Sequence, residues 1–298
     1  TIDSYEVGAQ NWTDGFAAEF KKRNGYNPTH LLPVFTGRVV DSAKTSDQFL
    51  WDLRRTIADM IAQNYIGGLR EAAHREGMTL WCENYGHWGF PGEFSIYGGY
   101  ADEVAGEFWT RNSLGNIECR AASSAGHTYG KQRVFAEAFT SRLDLGSHPH
   151  KTKARGDEMF CEGINHFVLH VVAHQPRDGV PGRNPPFGTA FHRNTPWFNE
   201  ARDWVTYLQR CHTLLQQGRP SAEVAVYIGD FAPQMTGPRN PVPAGYDYDY
   251  IGSDAILRTL DVKDGDWVVY DENNPARISA RWKVLAMPKL KYIRPQVL

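Results

Sequence analysis

The sequence lacks any sizeable charge imbalance: 32 Lys and Arg stand against 34 Asp and Glu, a net −2. That balance asks for neither nucleic acid nor an anionic membrane as partner. It lacks an apolar run approaching the ~18 residues of a membrane span, so membrane insertion is not expected. No signal peptide is visible either. Its four cysteines, Cys82, Cys119, Cys161 and Cys211, are too scattered for a CxxC pair or a zinc pattern with histidine, and are expected to pack. The C-terminal part has no GxGxxG or P-loop spacing, which leaves a nucleotide site unsupported.

What is present is aromatic. Nine Trp and fourteen Tyr, many in Gly-rich stretches expected to be loops, suit a protein that stacks on sugar rings, although core packing is the commoner use. A length of 298 residues holds one large domain or two ordinary ones with ample core.

The most informative stretch is Arg133–Ser141, RVFAEAFTS. Val134, Phe135, Ala136, Ala138 and Phe139 read as a strand buried on both faces. Glu137 interrupts it, and a carboxylate there is costly unless hydrogen-bonded, paired or catalytic. In a barrel of parallel strands the C-terminal end of a strand faces the chemistry, which makes Glu137 a catalytic candidate; the alternative is a buried glutamate tied to Arg142. The same strand–carboxylate–loop pattern recurs at Thr1–Gly8, which delivers Asp3 and Glu6 together, and at Met78–Cys82, followed by Glu83.

Between these lie expected helices. GFAAEFKKRNG follows N-cap chemistry at Asn11–Asp14, Tyr26–Val40 reads as a loop, and Ser46–Gly77 has a long helical period broken near Gly67 and Gly68. Tyr85–Tyr100 reads as an active-site loop, with Trp88 as a sugar platform. Asp102, Glu103 and Glu107 form a local acidic cluster that suits either calcium or a solvated helix start. The helix expected over Asn116–Gly130 puts His127 on the face opposite the chemistry. NHFVLHVV is another buried strand, whose alternation places His166, His170 and His174 on one face; His170 and His174, toward its end, are sugar-binding candidates or satisfied core histidines. Gln175–Asn194 is long enough to be a functional loop. Trp197–Gln217 is an amphipathic helix with Phe198, Ala201, Val205, Leu208, Cys211 and Leu215 on one side. Past Gly218 the rhythm changes, which divides the chain into 1–218 and 219–298. The second part carries EVAVYI, a helix near Ser253–Leu260, and the strands WVVY and KVLAMPK. Since the chain starts at Thr1 inside what reads as a strand end and stops at Leu298 after a strand-like run, truncation at both ends is expected.

Taken together, DSYEVGAQNWTDGF, HTYGKQRVFAEAFTS, the HxxxHQP pattern at His170–Pro176, FHRNTPW and YLQRCHTLLQQGRPSAEVAVYIGD resemble the glycoside hydrolases of family 106, the α-L-rhamnosidases. The likeness runs from about residue 1 to 230 and more weakly beyond. It implies a far longer, usually exported enzyme with a catalytic (β/α)8 TIM-type barrel, acting on a rhamnose-containing glycan or glycoside. It also implies inversion of the anomeric centre with the help of an active-site calcium. Residues 1–218 would then be about the second half of the barrel, entered at the strand bearing Glu6, with its N-terminal half missing. Residues 219–298 would begin a smaller α/β domain. By the same resemblance Glu6 is the general acid, Glu137 the general base, and Glu107 a third essential glutamate near calcium, with Glu103 as the alternative. Glu83 receives no role from it, but its strand end argues that it faces the site. Arg193 of FHRNTPW is a further substrate-binding candidate. Two other readings stand beside this one. The first is a retaining barrel glycosidase of the β-galactosidase type, with Glu6 as acid/base and Glu137 as nucleophile. The second is a non-catalytic carbohydrate-binding or remnant module.

Overall fold

The structure, a computed structural model, describes residues 1–110, 117–142, 146–179, 187–271, 274–290 and 292–298. The chain opens with α1 (Phe16–Asn24), a 3₁₀ helix over Thr29–Thr36, and α2 (Ala43–Met60) running through a π turn, Ile61–Ile66, into α3 (Gly67–Arg75). Phe20, Leu31, Phe49 and Leu53 close this first cluster. Gly25 ends α1 in the left-handed region, as its place in the sequence suggests, but the N-cap is Gly15 and not one of the polar residues Asn11–Asp14. The segment expected as a loop, Tyr26–Val40, instead contains the 3₁₀ helix, and the break in the long helical period is the π turn rather than the glycine pair.

Four parallel strands then position the site: β1 (Trp81–Glu83), β2 (Glu103–Trp109), β3 (Val134–Thr140) and β4 (His166–Leu169), hydrogen-bonded in that order. The crossovers are α4 (Phe94–Gly99), α5 (Ile117–Thr128) and α6 (Pro149–Cys161), and α7 (Arg202–Leu215) follows. Ahead of β1 a fifth segment lies alongside in parallel, with Ile2 bridging Cys82 and Tyr5 bridging Gly86. Alternation sends Val104, Phe108, Val134, Ala136 and Ala138 to one face, where Cys119, Ala122 and Met159 from the helices complete the core. Glu107 and Glu137, level with each other in the register, take the other face.

One element differs outright from expectation. Asp102, Glu103 and Glu107 are neither a helix start nor a cluster: Glu103 and Glu107 lie on β2, inside the sheet, and Asp102 immediately precedes it. Asp102 accepts from the Leu80 amide at 2.7 Å and faces His74, Glu103 pairs with Arg133, and only Glu107 reaches the strand's far end. On α7 the buried stripe is Trp204 and Leu208, while Phe198, Val205 and Leu215 from the expected face are exposed. Cys82 and Cys119 pack in the interior, but Cys161 is exposed.

The remaining chain forms β5 (Val224–Tyr227), β6 (Tyr248–Ile251), α8 (Ser253–Arg258), β7 (Leu260–Lys263), β8 (Asp266–Asp271), β9 (Asn274–Trp282) and β10 (Val284–Ala286). One three-stranded sheet is parallel, in the order β10, β5, β6; the other is an antiparallel meander of β7, β8 and β9. Helix α5 lies between the first sheet and β6. Ser124 Oγ accepts from the Tyr250 amide at 2.9 Å, His127 Nδ1 meets Asp249 at 2.7 Å, and Arg120 donates to Asp247 at 2.8 Å. His127 is thus occupied at this junction, as its position opposite the chemistry implies.

Candidate active site

Carboxylates gather where the parallel strands end. Asp3 and Glu6 come from the edge segment, Glu83 closes β1, Glu107 lies on β2 and Glu137 on β3. Asp3, Glu83 and Glu137 each bring a carboxylate oxygen within 4.8 Å of the other two. Glu83 is 1% exposed, and among the described residues neither of its carboxyl oxygens has a hydrogen-bond partner. Burial, then the charge of Glu137, then Asp3 hold its carboxyl well above the usual range. Burial also raises Glu137, with Asp3 and Glu6 adding to the effect, while a hydrogen bond from Thr140 opposes it. The partner of Glu137 is thus Thr140 and not Arg142, which is exposed.

A bulge brings that threonine into place. Ala138 pairs with Phe108, but the next residue of β2, Trp109, pairs with Thr140, so Phe139 is skipped. Phe139 takes φ 67, a left-handed conformation that a bulky residue adopts only under strong constraint. Its ring is fully buried against Phe108, Phe167 and Trp204. The extra residue re-aims the strand end, as bulges beside active sites do, and Thr140 Oγ1 donates to Glu137 Oε1.

Glu107 is held from two sides. Tyr85 donates to Oε2 at 2.6 Å and Trp109 Nε1 donates to Oε1. Burial raises its carboxyl and the Tyr85 hydrogen bond opposes that shift. Glu6 is exposed and accepts from Ser4 Oγ at 3.1 Å. The loop after β1 is fastened to the Glu6 loop: the Tyr5 amide donates to Tyr85 O at 3.2 Å and the His87 amide to Tyr5 O at 2.9 Å. A Cβ on Gly89 would stand 2.7 Å from the Ala9 amide nitrogen, and Gly89 itself has φ 97, so this close approach needs glycine. Trp88 is 74% exposed beside this seam. The rest of Tyr85–Tyr100 is not an open loop, since Phe90–Gly99 is buried and Phe94–Gly99 is helical.

Of the expected histidines, only His170 joins the carboxylates. Its Nδ1 lies 3.5 Å from Glu137 Oε1 and 3.3 Å from Thr140 Oγ1. Burial keeps it below its ordinary pKa, against the charges of Glu107 and Asp3, so the ring is neutral at pH 7. The strand ends at Leu169, so the alternation stops there. His166 instead stacks on His212 with centroids 5.0 Å apart, and His174 is exposed in the following loop. Arg193 is half-exposed and its guanidinium pairs with Asp178 at 3.1 Å. The structure does not bring His174 or Arg193 into contact with the carboxylates among the described residues.

The alpha-L-rhamnosidase family model of glycoside hydrolase family 106 matches residues 1–298. The chain belongs to family 106. A solved rhamnosidase from Novosphingobium sp. PP1Y superposes with a TM-score of 0.86 at 30% identity, covering 99% of this chain and 29% of that one. A protein of Formosa agariphila, provisionally named a beta-glucuronidase, is 36% identical over 299 residues, covering all of this chain and 25% of its own length. This family 106 chain therefore spans little more than a quarter of these relatives.

Several residues of this carboxylate-rich mouth carry little advance signal. Asp3 is noticed only as the companion of Glu6, and Tyr85 is hidden in an aromatic-rich stretch. Thr140 depends on a bulge that no local pattern announces. Glu118, in the first turn of α5, is fully buried with both carboxyl oxygens unbonded among the described residues. As a donor set, Asp3, Glu83 and Glu137 fit a hard divalent cation. All three offer oxygen, and oxygens sharing a calcium at roughly 2.3–2.6 Å stand up to about 5 Å apart. The unbonded carboxyl oxygens of Glu83 are what such an ion would satisfy.

Proposed function

We propose that this chain carries the acid, the base and the cation site of an inverting α-L-rhamnosidase, on a sheet that is about half of a (β/α)8 barrel. The observation that carries the reading is the convergence of Asp3, Glu83 and Glu137 within 4.8 Å, with Glu6 on the same edge segment as Asp3, on three parallel segments of one sheet. The four parallel strands β1 to β4, joined by helices, are half of the eight such a barrel has, with the Asp3–Glu6 segment beside them.

In this mechanism Glu6, held by Ser4, gives a proton to the leaving glycosidic oxygen. Glu137, oriented by Thr140, takes the proton of the attacking water on the opposite face of the sugar. Asp3, Glu83 and Glu137 would hold calcium. Bound there, it would supply an electrophilic anchor for the vicinal diol of rhamnose, which completes its oxygen shell. Trp88 stacks on the sugar or on what it is attached to. His170 stays neutral next to the base and offers a hydrogen bond without competing for its proton.

A neutral sugar suits this mouth better than a uronic acid. Arg193, the candidate cation for a substrate carboxylate, is engaged by Asp178 at 3.1 Å. The name of the Formosa relative therefore does not move the proposal to glucuronides.

The test uses the longest natural chain that contains this sequence and an aryl α-L-rhamnoside. Glu6→Gln and Glu137→Gln should each lower kcat by about 10²–10⁴-fold, the usual share of general acid–base catalysis. Proton NMR of the first-formed sugar should show the inverted anomer. A retained anomer would overturn the acid/base pairing and make Glu137 a nucleophile.

A further inference from the structure

Glu118, an acid near the mouth, has no place in this mechanism. Glu118 reaches under the loop after β1, where its Oε1 lies 3.9 Å from His87 Nε2. It is fully buried, and neither carboxyl oxygen has a hydrogen-bond partner among the described residues. The titratable groups facing it are His87 and Tyr85 from that loop, Glu107 from β2, Glu137 from β3 and Glu6 from the edge segment. All but the histidine are acids. Burial, then Glu107, Glu137 and Glu6, push the Glu118 carboxyl up to about 9. At neutral pH it is a hydrogen-bond donor.

His87 is well placed to use that donor. Its amide is tied to Tyr5 O, one residue from Glu6. Its ring lies 5.4 Å from that of Tyr85, which holds Glu107, and 6.0 Å from the exposed Trp88. The imidazole, only partly buried, thus neighbours the proposed sugar platform on a loop tied to the segment that carries the proposed acid. A neutral imidazole that accepts at Nε2 must carry its hydrogen on Nδ1. The carboxylates around the mouth accept hydrogen bonds when ionised, and sugar hydroxyl oxygens need donors.

We propose that Glu118 is a positioning residue which donates to His87 Nε2, fixes the Nδ1–H tautomer, and so makes His87 a hydrogen-bond donor to a hydroxyl of the bound sugar. The present gap of 3.9 Å is longer than a formed hydrogen bond. Closing it requires a shift of about 1 Å, of the kind substrate binding produces in active sites. This inference rests on the rhamnosidase reading.

Steady-state kinetics on an aryl α-L-rhamnoside, in the longest natural chain containing this sequence and with calcium added, separates the possibilities. Glu118→Leu should raise KM about tenfold with kcat within about threefold, the mark of lost ground-state binding. Glu118→Gln, whose amide also donates, should recover most of that loss. His87→Phe should match Glu118→Leu, and the double variant should add nothing to either, because the two act as one unit. Thermal unfolding of each variant identifies any that misfold, and the His87→Phe comparison stands without a Glu118 variant. Unchanged kinetics in Glu118→Leu would overturn the proposal. So would Glu118→Gln as impaired as Glu118→Leu, since that would mean the acid works as an anion. A parent with no rhamnosidase turnover would instead overturn the underlying reading, and the inference with it.

Discussion

Glu83 and Glu118 are carboxyls that burial has left without donors, and they link the site to the stability of the fold. Both are raised above the ordinary value of 4.5, Glu118 to about 9. A raised carboxyl means that the folded state holds its proton more tightly than the unfolded chain, so the stability it contributes is present below about pH 4.5 and is lost as pH rises toward 9. His212 works with the opposite sign. Burial and the neighbouring His166 lower it from 6.5 to about 4, so stability is lost as pH falls through that window. The melting temperature without divalent ions should therefore decline from about pH 6.5, where the opposing His212 window ends, to about pH 9, because the unfolded chain has already released the proton that folded Glu118 still holds. Glu118→Gln should flatten that decline, and differential scanning calorimetry across pH would contradict the account if the slope stayed the same. The glutamates at strand ends could be found in the sequence, because a carboxylate closing a buried run is a local pattern. Glu118 could not, because nothing in IECRAASS says which residue of the turn lies under a loop some thirty positions earlier.

Among the elements, β2 and α5 show how a single glycine sets the distance between a strand and its helix. A Cβ at Gly106 would lie 2.8 Å from Glu118 O, a backbone atom that cannot swing aside. Gly106→Ala should push α5 away from the sheet and destabilise the fold by about 1–3 kcal/mol, the usual cost of overpacking. Activity should fall as well, since Glu118 and Glu107 move relative to one another. Chemical denaturation that matched the parent would contradict this packing. The sequence hid β2 because its inward side is Val104, Gly106 and Phe108, with a glycine where a large residue would have marked the period. Asp102, Glu103 and Glu107 meanwhile carry a helix-like spacing of acids. The strand at Val134–Thr140 was plain from its apolar run, but the bulge at Phe139 was not, because it is imposed by core packing around Phe108, Phe167 and Trp204.

In the whole molecule, alternating strand and helix gave away the parallel α/β layout, and past Gly218 the chain forms two further sheets of three strands each. The antiparallel meander was only partly legible. Its β8 core, WVVY, stands out, while β7 and much of β9 are exposed and polar and show no apolar period. The burial of α5 between two sheets follows from tertiary contacts such as Ser124 with Tyr250 and could not be read locally. This chain covers 29% of the Novosphingobium rhamnosidase, and the face of its first sheet that carries Glu107 and Glu137 leaves Val168 exposed. The most direct test of the account is rhamnose release from an aryl α-L-rhamnoside by the longest natural chain containing this sequence, before and after removal of divalent ions by a chelator. The account predicts that activity collapses on chelation, returns with added calcium, and does not return in Glu83→Gln. Full activity in excess chelator would contradict a cation held by Asp3, Glu83 and Glu137.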